Sequence, residues 1–418
     1  MFVLIGHLVD SSYPSPDNAT MHRIKNPYIV FLLFIRCMNI KRIKAKAIPS
    51  SFGDKTIEVS VNGKYTGSAP LGLSTGSREV FNFPLSGIPL SLVNNTLNKA
   101  LKGLELNEFN DLKIVEDLLF DFDGSERLDK LGGNTVVALE YALLRSIAKR
   151  GVMWKILNPY ANEMPMLIGE CIGGGKHSGD SSDFQEFLVM PHADTFADCA
   201  YASHYIYKKI ERDLRPIGRT CTGSWVTTLD NLNILEILKN AAQEVFDKFD
   251  IQVGLGLDVA GSHIYSGGYY FYKKGKLDRE KQLKYVNSLI MRYGLEYIED
   301  PLEENDLDGY SEIKGDLICG DDLVGGNLTR LKEAAGKINA VVIMPTQAGS
   351  LIKVKEIIDY AKENNIVPIL SHRAGETMDD TIAELAVAWN VPYIKCGLFG
   401  KERIRKIIRL KEIEKEMS

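Results

Sequence analysis

The 418-residue sequence predicts an α/β barrel preceded by a smaller α+β domain. After about Met166, apolar strand-like segments alternate with amphipathic helical segments over roughly 250 residues, which is typical of a β/α barrel. Before that point, strand-like segments are followed by helical ones, which is the order of an α+β unit. The predicted boundaries are 1–37 for an N-terminal extension outside the fold, 38–165 for the α+β domain and 166–418 for the barrel.

The composition is that of a globular chain with a sizeable core. Hydrophobic residues make up 45% and charged residues 25%, which excludes disorder, coiled coil and collagen. The 50 Lys and Arg residues stand against 55 Asp and Glu residues, giving a net charge of -5. Without a basic excess to bind a phosphate backbone or an anionic membrane, we expect neither nucleic acid nor membrane as a partner.

Cysteine usage and hydropathy favour a cytoplasmic location. The 6 cysteines are scattered without a C-x-x-C motif, which signals neither a disulfide framework nor a zinc site and fits a reducing compartment. The longest apolar run, residues 28–35, is far below the roughly 18 residues that span a bilayer. It has the basic start of a signal peptide but lacks small cleavage-site residues, so an upstream extension is the favoured interpretation.

Two patterns predict the elements of the α+β domain. Residues 55–70 (KTIEVSVNGKYTGSAP) alternate apolar and polar side chains around Gly63, as hairpin strands do. Helical segments follow at 90–104 and 134–150, and the apolar residues of the second recur at helical spacing.

The barrel is predicted from strands and helices in alternation. The strand-like segments are IQVGLGLDV, LEYIEDP, LICGDD, INAVVIMP, IVPILSH and VPYIKCG. The helical segments between and after them are 279–293, 328–336, 351–364, 380–390 and a charged C-terminal helix. The carboxyl ends of barrel strands converge on one mouth, so residues at those ends are the candidates for a site.

Three predicted strands end in acidic residues, Asp258, Glu299 and Asp321. Their separations of 41 and 22 residues suit successive strand-helix units, so one carboxylate from each can reach the same point. Such carboxylates repel one another, and hard oxygen ligands suit Mg²⁺, so the sequence predicts a magnesium site. The alternative is that these acids are helix N-caps or solvated loop charges.

Two further strand ends carry cations. The segment LSHR provides Ser371, His372 and Arg373, and the segment YIKCG provides Lys395. A lysine in an apolar strand is costly to bury unless an anion faces it, and a metal-bound carboxylate substrate would supply one. The alternative is a lysine that reaches solvent at the strand tip. Earlier in the chain, the glycine-rich residues 173–182 have the composition of a mobile loop over a site.

From Met38 onward the sequence resembles the enolase family, the phosphopyruvate hydratases of glycolysis. The resemblance rests on the ordered motifs TIEVSV, GLSTGSRE, GGNTVVALEYAL, GGGKHSGDSSDFQEF, GLDVAGS, IEDP, GDDL, QAGSL, SHRAGET and IKCG. It implies an α+β capping domain on an eight-stranded barrel whose first strands depart from regular alternation.

The resemblance also implies a role for each site residue. Implied as the main magnesium ligands are Asp258, Glu299 and Asp321, with Ser74 at a second metal. Implied as substrate-binding residues are Ser371, His372, Arg373 and Lys395, of which Lys395 faces the substrate carboxylate. Implied near the leaving hydroxyl are His177 and Glu186. The expected partners are a small phosphorylated hydroxy acid and further copies of the chain, as a homodimer or larger homo-oligomer.

Two catalytic positions depart from the family. Met344 stands where enolases carry the lysine that takes the proton from carbon 2, and a thioether cannot act as that base. The stretch RTCTGSWVTTLD stands where enolases carry Gly-Asp-Glu-Gly-Gly. The glutamate that assists departure of hydroxide is therefore missing, with Cys221 or Thr222 near its place. Each loss is expected to cost about 10²-fold to 10⁴-fold in rate.

Two interpretations of function follow. In the first, the chain is a magnesium-dependent carbon-oxygen lyase that resembles phosphopyruvate hydratase but has impaired or altered turnover of 2-phosphoglycerate to phosphoenolpyruvate and water. One form of it makes Lys395 the base, acting on a different phosphorylated acid. In the second, the chain is a catalytically inactive paralogue that binds metal and a phosphorylated acid in a regulatory or scaffold role. The retained ligand residues favour binding in both.

Overall fold

The structure, a computed structural model, describes residues 38–73, 78–149, 152–175, 178 and 181–418. The predicted N-terminal extension, residues 1–37, lies outside the described residues, as do Ser74 and His177.

A three-stranded antiparallel sheet forms the first layer of the α+β part. Its strands are Ile43–Pro49, Lys55–Val61 and Tyr65–Ser68. Asn62 and Gly63 both have positive φ, 55° and 68°, and form the turn between the second and third strands that the sequence predicts around Gly63. The alternating residues Ile57, Val59 and Val61 are fully buried. They pack against the long helix of this part, Gly133–Ala148, in which Arg145 is the one residue not buried.

The remaining elements of this part are short, apart from one helix. They are the strands Met38–Asn39 and Glu105–Leu106, the π-helical turn Leu92–Leu97, and the helices Asn98–Ala100, Phe109–Asp111, Leu112–Asp123 and Met153–Leu157. The helix predicted over 90–104 is therefore shorter and wider than expected. Asn94 and Asn98 accept hydrogen bonds at 2.7 Å from the Ala45 and Ile43 amides, which ties this segment to the edge of the sheet.

Eight strands form a closed barrel, numbered here barrel strands 1 to 8 in chain order. They are Met166–Gly173, Glu186–His192, Gln252–Asp258, Leu295–Glu299, Leu317–Gly320, Ala340–Ile343, Val367–Ser371 and Tyr393–Gly397. Barrel strand 8 pairs with barrel strand 1, which closes the barrel. Barrel strand 2 is antiparallel to both of its neighbours, and the other pairs are parallel. The predicted barrel and its irregular start are confirmed.

Helices cover the outside of the barrel. The longer ones are Phe196–Leu214, Asn231–Phe249, Arg279–Tyr293, Leu328–Ala334, Leu351–Glu363, Thr381–Ala388 and Lys401–Met417. Several begin at a side chain that accepts a hydrogen bond from the first turn, namely Thr195, Asp230, Asp278, Asn327 and Ser350. These caps explain why the boundaries read from the sequence are close to those observed. None of the helices in the described residues is long and apolar enough to cross a membrane.

Short elements complete the barrel part. They are the helices Gly261–Ile264, Leu307–Tyr310 and Pro345–Ala348, the strands Gly218–Arg219 and Trp225–Val226, and the small sheet Tyr265–Ser266, Tyr269–Tyr272 and Gly275–Asp278. Trp225 pairs with Ile172 of barrel strand 1, so the segment before Trp225 lies beside the mouth of the barrel.

Polar contacts join the α+β part to the barrel. Leu71 and Gly375 exchange two backbone hydrogen bonds of 2.8 Å. Arg145 of the long helix donates to both carboxylate oxygens of Asp379 at 3.0 Å and to Asp380 at 2.8 Å. Because the Asp379 side chain is only 4% exposed, its charge depends on this arginine for compensation.

We expect Arg145→Met to lower the free energy of unfolding by about 3 kcal/mol, because it leaves a buried carboxylate without its ion-pair partner. Urea denaturation measures the change. Arg292→Met is the matched control, since the Arg292 and Glu236 side chains are 58% and 46% exposed and such pairs contribute about 1 kcal/mol or less. Equal losses in the two variants would contradict a role for Arg145 in holding the two parts together.

Candidate active site at the barrel mouth

A polar cavity of about 90 Å³ opens at the carboxyl ends of the barrel strands. Both parts of the chain line it, because Gly72 and Glu79 of the α+β part face residues of the barrel. From the strand ends it is lined by Asp258, Asp321, Met344, Ser371, His372, Arg373 and Lys395. The structure therefore brings most of the sequence-predicted site residues to one place.

The three predicted metal ligands lie on adjacent strands. Asp258 and Glu299 end barrel strands 3 and 4 and are register partners. Glu299 is in turn the partner of Cys319, two residues before Asp321. Asp258 and Glu299 are buried and Asp321 is partly exposed. Parallel pairing thus delivers the carboxylates side by side.

Burial and mutual repulsion make these carboxylates hold protons more tightly than usual. Burial raises the pKa of Asp258 well above its ordinary value, and the Glu299 charge raises it further. Burial and the same Glu299 charge also raise the pKa of Asp321. The pKa of Glu299 is raised by burial against the opposing effect of Lys395. The site therefore strongly favours the binding of positively charged groups.

Lys395 supplies part of this positive charge. Its Nζ lies 2.5 Å from a Glu299 oxygen, 2.9 Å from Glu186 and 3.8 Å from Asp258, in a side chain that is 4% exposed. Burial alone would lower the pKa of this lysine, but the three carboxylates outweigh burial and raise the pKa well above its ordinary value. Lys395 is therefore an ammonium surrounded by acids, and it does not reach solvent at the strand tip.

The donor chemistry fits Mg²⁺, which prefers carboxylate oxygens. Within the described residues, however, no three His, Cys, Asp or Glu side chains are arranged to enclose one ion. The Lys395 ammonium stands between the carboxylates of Asp258 and Glu299. Binding a divalent ion there would require these side chains to reorient around it.

Side-chain amides of two glutamines hold the carboxylates in place. Gln185 donates to Asp258 at 2.9 Å, and Gln347 donates to both Asp321 and Glu79 at 3.1 Å. Asp300, a buried residue with φ of 40°, accepts the Asp322 amide at 2.7 Å and so fixes the loop that follows barrel strand 5. This conformation is uncommon for a residue other than glycine, and it is stabilised here by the contacts of the carboxylate.

The predicted anion-binding residues Ser371 and Arg373 line the same cavity as the acids. The Arg373 guanidinium donates to Glu79 at 2.9 Å and to Thr346 at 3.3 Å. A Cβ at the neighbouring Gly72 would collide with the guanidinium, so a side chain there would displace Arg373. Ser371 lies at the end of barrel strand 7 and donates to the His372 carbonyl at 3.0 Å. An anionic ligand would therefore compete with Glu79 for Arg373.

Met344 and the Thr222 segment are the two positions at which the sequence analysis expects a departure from the enolase pattern. Met344 directly follows barrel strand 6, lines the cavity and packs with Val342 and Ile369. Thr222 also lines the cavity. Burial raises the pKa of the neighbouring Cys221 thiol, which keeps it neutral.

A glutamate that the sequence analysis did not select, Glu170, lies behind Thr222. Its Oε1 accepts hydrogen bonds from Thr222 at 2.6 Å and from Ser224, and its Oε2 lies 3.6 Å from His372 Nε2. The residue is 1% exposed. Burial first, and the Glu186 charge second, raise its pKa to about 7. Burial and the Arg403 charge lower the pKa of His372 well below its ordinary value, so the histidine is neutral.

Sequence reasoning assigned no role to several residues of this site: Glu79, Glu170, Gln185 and Gln347. For Glu170 a signal existed, because it is the one charged residue in the strand MLIGECIG. An acid in an apolar strand is as informative as Lys395, since both are costly to bury without a function or a partner. Glu79 and Gln347 meet only where the two parts of the chain pack together, and Gln185 reaches Asp258 only through the folding of the barrel.

A family model described as "Enolase, C-terminal TIM barrel domain" matches residues 161–418, and one described as "Enolase, N-terminal domain" matches residues 40–154. The chain is 36% identical over 405 residues to the enolase of Methanothermobacter thermautotrophicus, covering 90% of this chain and 97% of the relative. It is 36% identical over 398 residues to the enolase of Picrophilus torridus, covering 90% and 99%, and 33% identical over 398 residues to that of Archaeoglobus fulgidus, covering 91% and 98%.

The raised pKa of Glu170 makes a prediction about stability. Its value is about 7 in the folded chain against an ordinary 4.5, so the folded state binds this proton more tightly than the unfolded state. The stabilisation is complete below about pH 4.5 and is lost as the pH rises through about 7. Between pH 5 and pH 8 we expect the wild type to lose on the order of 3 kcal/mol more unfolding free energy than Glu170→Gln.

Urea denaturation of both proteins at several pH values measures this difference. The glutamine keeps the size and hydrogen-bonding capacity of Glu170 but does not titrate, so other groups cancel in the comparison. Parallel pH profiles for the two proteins would mean that Glu170 is ionised in the folded chain throughout this range.

Proposed function

The chain belongs to the enolase family, and from that premise we propose that it binds magnesium and a small phosphorylated hydroxy acid at the barrel mouth and converts 2-phosphoglycerate to phosphoenolpyruvate only weakly. The observation that carries this proposal is the contrast at the cavity wall. Charged residues suited to holding an anion and a metal line it, while Met344 stands where the family has its proton-abstracting lysine.

Binding of the substrate is supported by the distribution of charge. The Arg373 guanidinium and Ser371 line the cavity and suit a phosphate, for which arginine offers paired donors. Lys395 also lines the cavity, within 3 Å of Glu186 and Glu299, and suits the substrate carboxylate. These residues would hold the acid at both ends and orient the carbon chain between them.

Metal binding is supported by the carboxylates on barrel strands 3 to 5. Asp258, Glu299 and Asp321 would hold the ion, with Ser74 proposed at a second metal from the resemblance alone. When bound, magnesium supplies positive charge that stabilises the negative charge developing on the substrate carboxylate. It would also relieve the repulsion that raises the pKa values of these acids.

Impaired turnover is supported by the chemistry of Met344. The residue is 9% exposed and has no group that could accept a proton from carbon 2. Lys395 lines the same cavity, but three carboxylates surround it and favour its ammonium form. We therefore propose that proton abstraction is the weak step. A regulatory or scaffold role corresponds to the limit in which binding persists and turnover is lost.

His177 and Glu186 are proposed beside the leaving hydroxyl, and the contact of 2.9 Å between Glu186 and Lys395 supports the proposal for Glu186. A cytoplasmic location and a homodimer or larger assembly stay predictions of the resemblance.

Metal binding should be visible as a change in thermal stability. A ligand that binds only the folded state raises the melting temperature, and Mg²⁺ at 100 times its Kd should raise it by about 2 to 4 °C relative to EDTA. The double variant Asp321→Asn with Glu299→Gln should abolish the shift. Asp308→Asn, at a side chain that is 90% exposed, should keep it. The assignment fails if Mg²⁺ leaves the wild type unchanged or still stabilises the double variant.

Binding and turnover of 2-phosphoglycerate should separate. In the presence of Mg²⁺, calorimetry should detect binding that Arg373→Ala weakens at least about 10-fold, because a charge-assisted hydrogen bond contributes about 1.5 kcal/mol or more. Product absorbance should show a rate about 10²-fold or more below that of a relative that retains the lysine.

The control for the binding assay is Arg292→Ala, whose side chain is 58% exposed on an outer helix. Ordinary enolase turnover by the unmodified chain would show that another group replaces the lysine at Met344. Absence of binding would refute the proposed function altogether.

A further inference from the structure

We propose that Glu170 takes the place of the glutamate missing from the Thr222 segment and supplies, through the Thr222 hydroxyl, the proton that leaves with the substrate hydroxyl. This inference rests on the proposed function, and it assigns a role to a residue that lies outside the enolase motifs of the chain. With Glu170 in this role, the chain lacks only the lysine that abstracts the proton, and it does not also lack the general acid.

The first argument is the position of the carboxylate. Glu170 belongs to barrel strand 1, and Thr222 belongs to the segment that pairs with that strand through Ile172 and Trp225. The Thr222 hydroxyl lies 2.6 Å from Glu170 Oε1 and lines the cavity, while Glu170 is buried behind it. The Glu170 carboxylate of barrel strand 1 therefore lies close to the position at which the enolase pattern carries its own glutamate.

The second argument is that hydrogen bonds from uncharged hydroxyls orient the Glu170 carboxyl. Ser224 donates to the same oxygen as Thr222. Oε2 of Glu170 accepts no hydrogen bond from any described side chain, although His372 Nε2 lies 3.6 Å away. Arg403 Nε lies 3.3 Å from His372 Nδ1 and is placed to donate to it, which leaves the imidazole hydrogen on the nitrogen that faces Glu170.

The third argument is that no lysine or arginine forms an ion pair with Glu170 within the described part of the chain. Two other buried glutamates of the site do face cations, since Glu79 faces Arg373 and Glu299 faces Lys395. Glu170 faces hydroxyls and an imidazole that burial keeps neutral. A buried carboxyl in such surroundings favours its protonated form, which is the form that a general acid must have.

The proposed transfer balances. In its protonated form Glu170 carries the proton on Oε1 and donates it to Thr222 Oγ, the reverse of the hydrogen bond that the ionised carboxylate accepts. Glu170 gives this proton to Thr222 Oγ as the Thr222 hydroxyl gives its own proton to the departing hydroxyl, which leaves as water with the electron pair of the broken C–O bond. The electron pair of the C–H bond at carbon 2 forms the new double bond. That proton goes to water in the present chain, or to a lysine where one is introduced at Met344. Glu170 is left ionised and recovers its proton from solvent.

The test restores the missing base and asks whether an acid is also missing. If Glu170 is the acid, Met344→Lys alone should raise the rate of phosphoenolpyruvate formation by about 10²-fold. Adding Glu170→Gln to that variant should remove most of the gain, lowering kcat about 10²-fold with little change in KM, because the acid acts after the substrate is bound. In the Met344→Lys protein, kcat should also fall as the pH rises through about 7, and Glu170→Gln should remove that limb.

The matched control is Glu140→Gln in the same Met344→Lys background. Glu140 is also a fully buried glutamate, but it lies in the long helix of the α+β part and accepts the Leu351 amide at 2.6 Å, away from the cavity. Its substitution should leave kcat and the pH profile unchanged. A merely structural role for Glu170 predicts instead that Glu170→Gln alters melting and KM but leaves the pH limb in place.

A second variant distinguishes the possible failures. If Met344→Lys gains nothing while Met344→Lys with Thr222→Glu becomes active, an acid is missing at Thr222 and the role of Glu170 is refuted, whereas the proposed function stands. The role is equally refuted if both Met344→Lys and its Glu170→Gln derivative are active with the same pH profile. If neither base-restored protein turns over 2-phosphoglycerate although calorimetry shows binding, the inference falls and only the binding part of the proposed function survives. If the acid does not bind, the proposed function fails first.

Discussion

The buried negative charge at the barrel mouth is the constraint on which the rest of this structure depends. Asp258 and Glu299 end adjacent parallel strands, so closing the barrel necessarily places their carboxylates together. Lys395 reaches them from barrel strand 8, and its ammonium lies within 4 Å of three acids. Isolated charges at this depth would be too costly to keep, so the carboxylates and the lysine must be retained together or lost together. This explains why an apolar strand can carry a lysine at its centre.

The α+β part completes the charge distribution that the barrel begins. Glu79 contributes a carboxylate to Arg373, and Gln347 donates to Glu79 and Asp321 at once. These contacts cross from one part of the chain to the other, and the ion pairs of Arg145 with Asp379 and Asp380 hold the same interface nearby. The mouth is therefore shaped by both parts, and neither the position of Arg373 nor that of Asp321 is determined by the barrel alone.

The sequence predicts the barrel and its convergent strand ends well because both follow from local pattern. Asp258 and Glu299 stand at the ends of recognisable strands and Lys395 lies within another, and the carboxyl ends of these strands converge on one mouth. Side chains that act across strands are not predictable in this way. Glu170 contacts Thr222 because barrel strand 1 pairs with the short strand that begins at Trp225. The spacing of residues in the sequence does not predict this pairing. The Asn94 and Asn98 contacts that reshape the segment 90–104 are of the same long-range kind.

The two substitutions in the proposed function would have unequal consequences for charge. A methionine in place of a lysine at residue 344 would remove one positive charge from the cavity wall, and a threonine in place of a glutamate at residue 222 would remove one negative charge. The Glu170 carboxyl lies beside Thr222 and would restore the negative group when it is ionised. Among the described residues that line the cavity, the cations Arg373 and Lys395 already face Glu79 and Glu186. In the proposed function these two cations and a bound divalent ion would supply the positive charge at the mouth, so binding of anion and metal would persist while proton abstraction is weak.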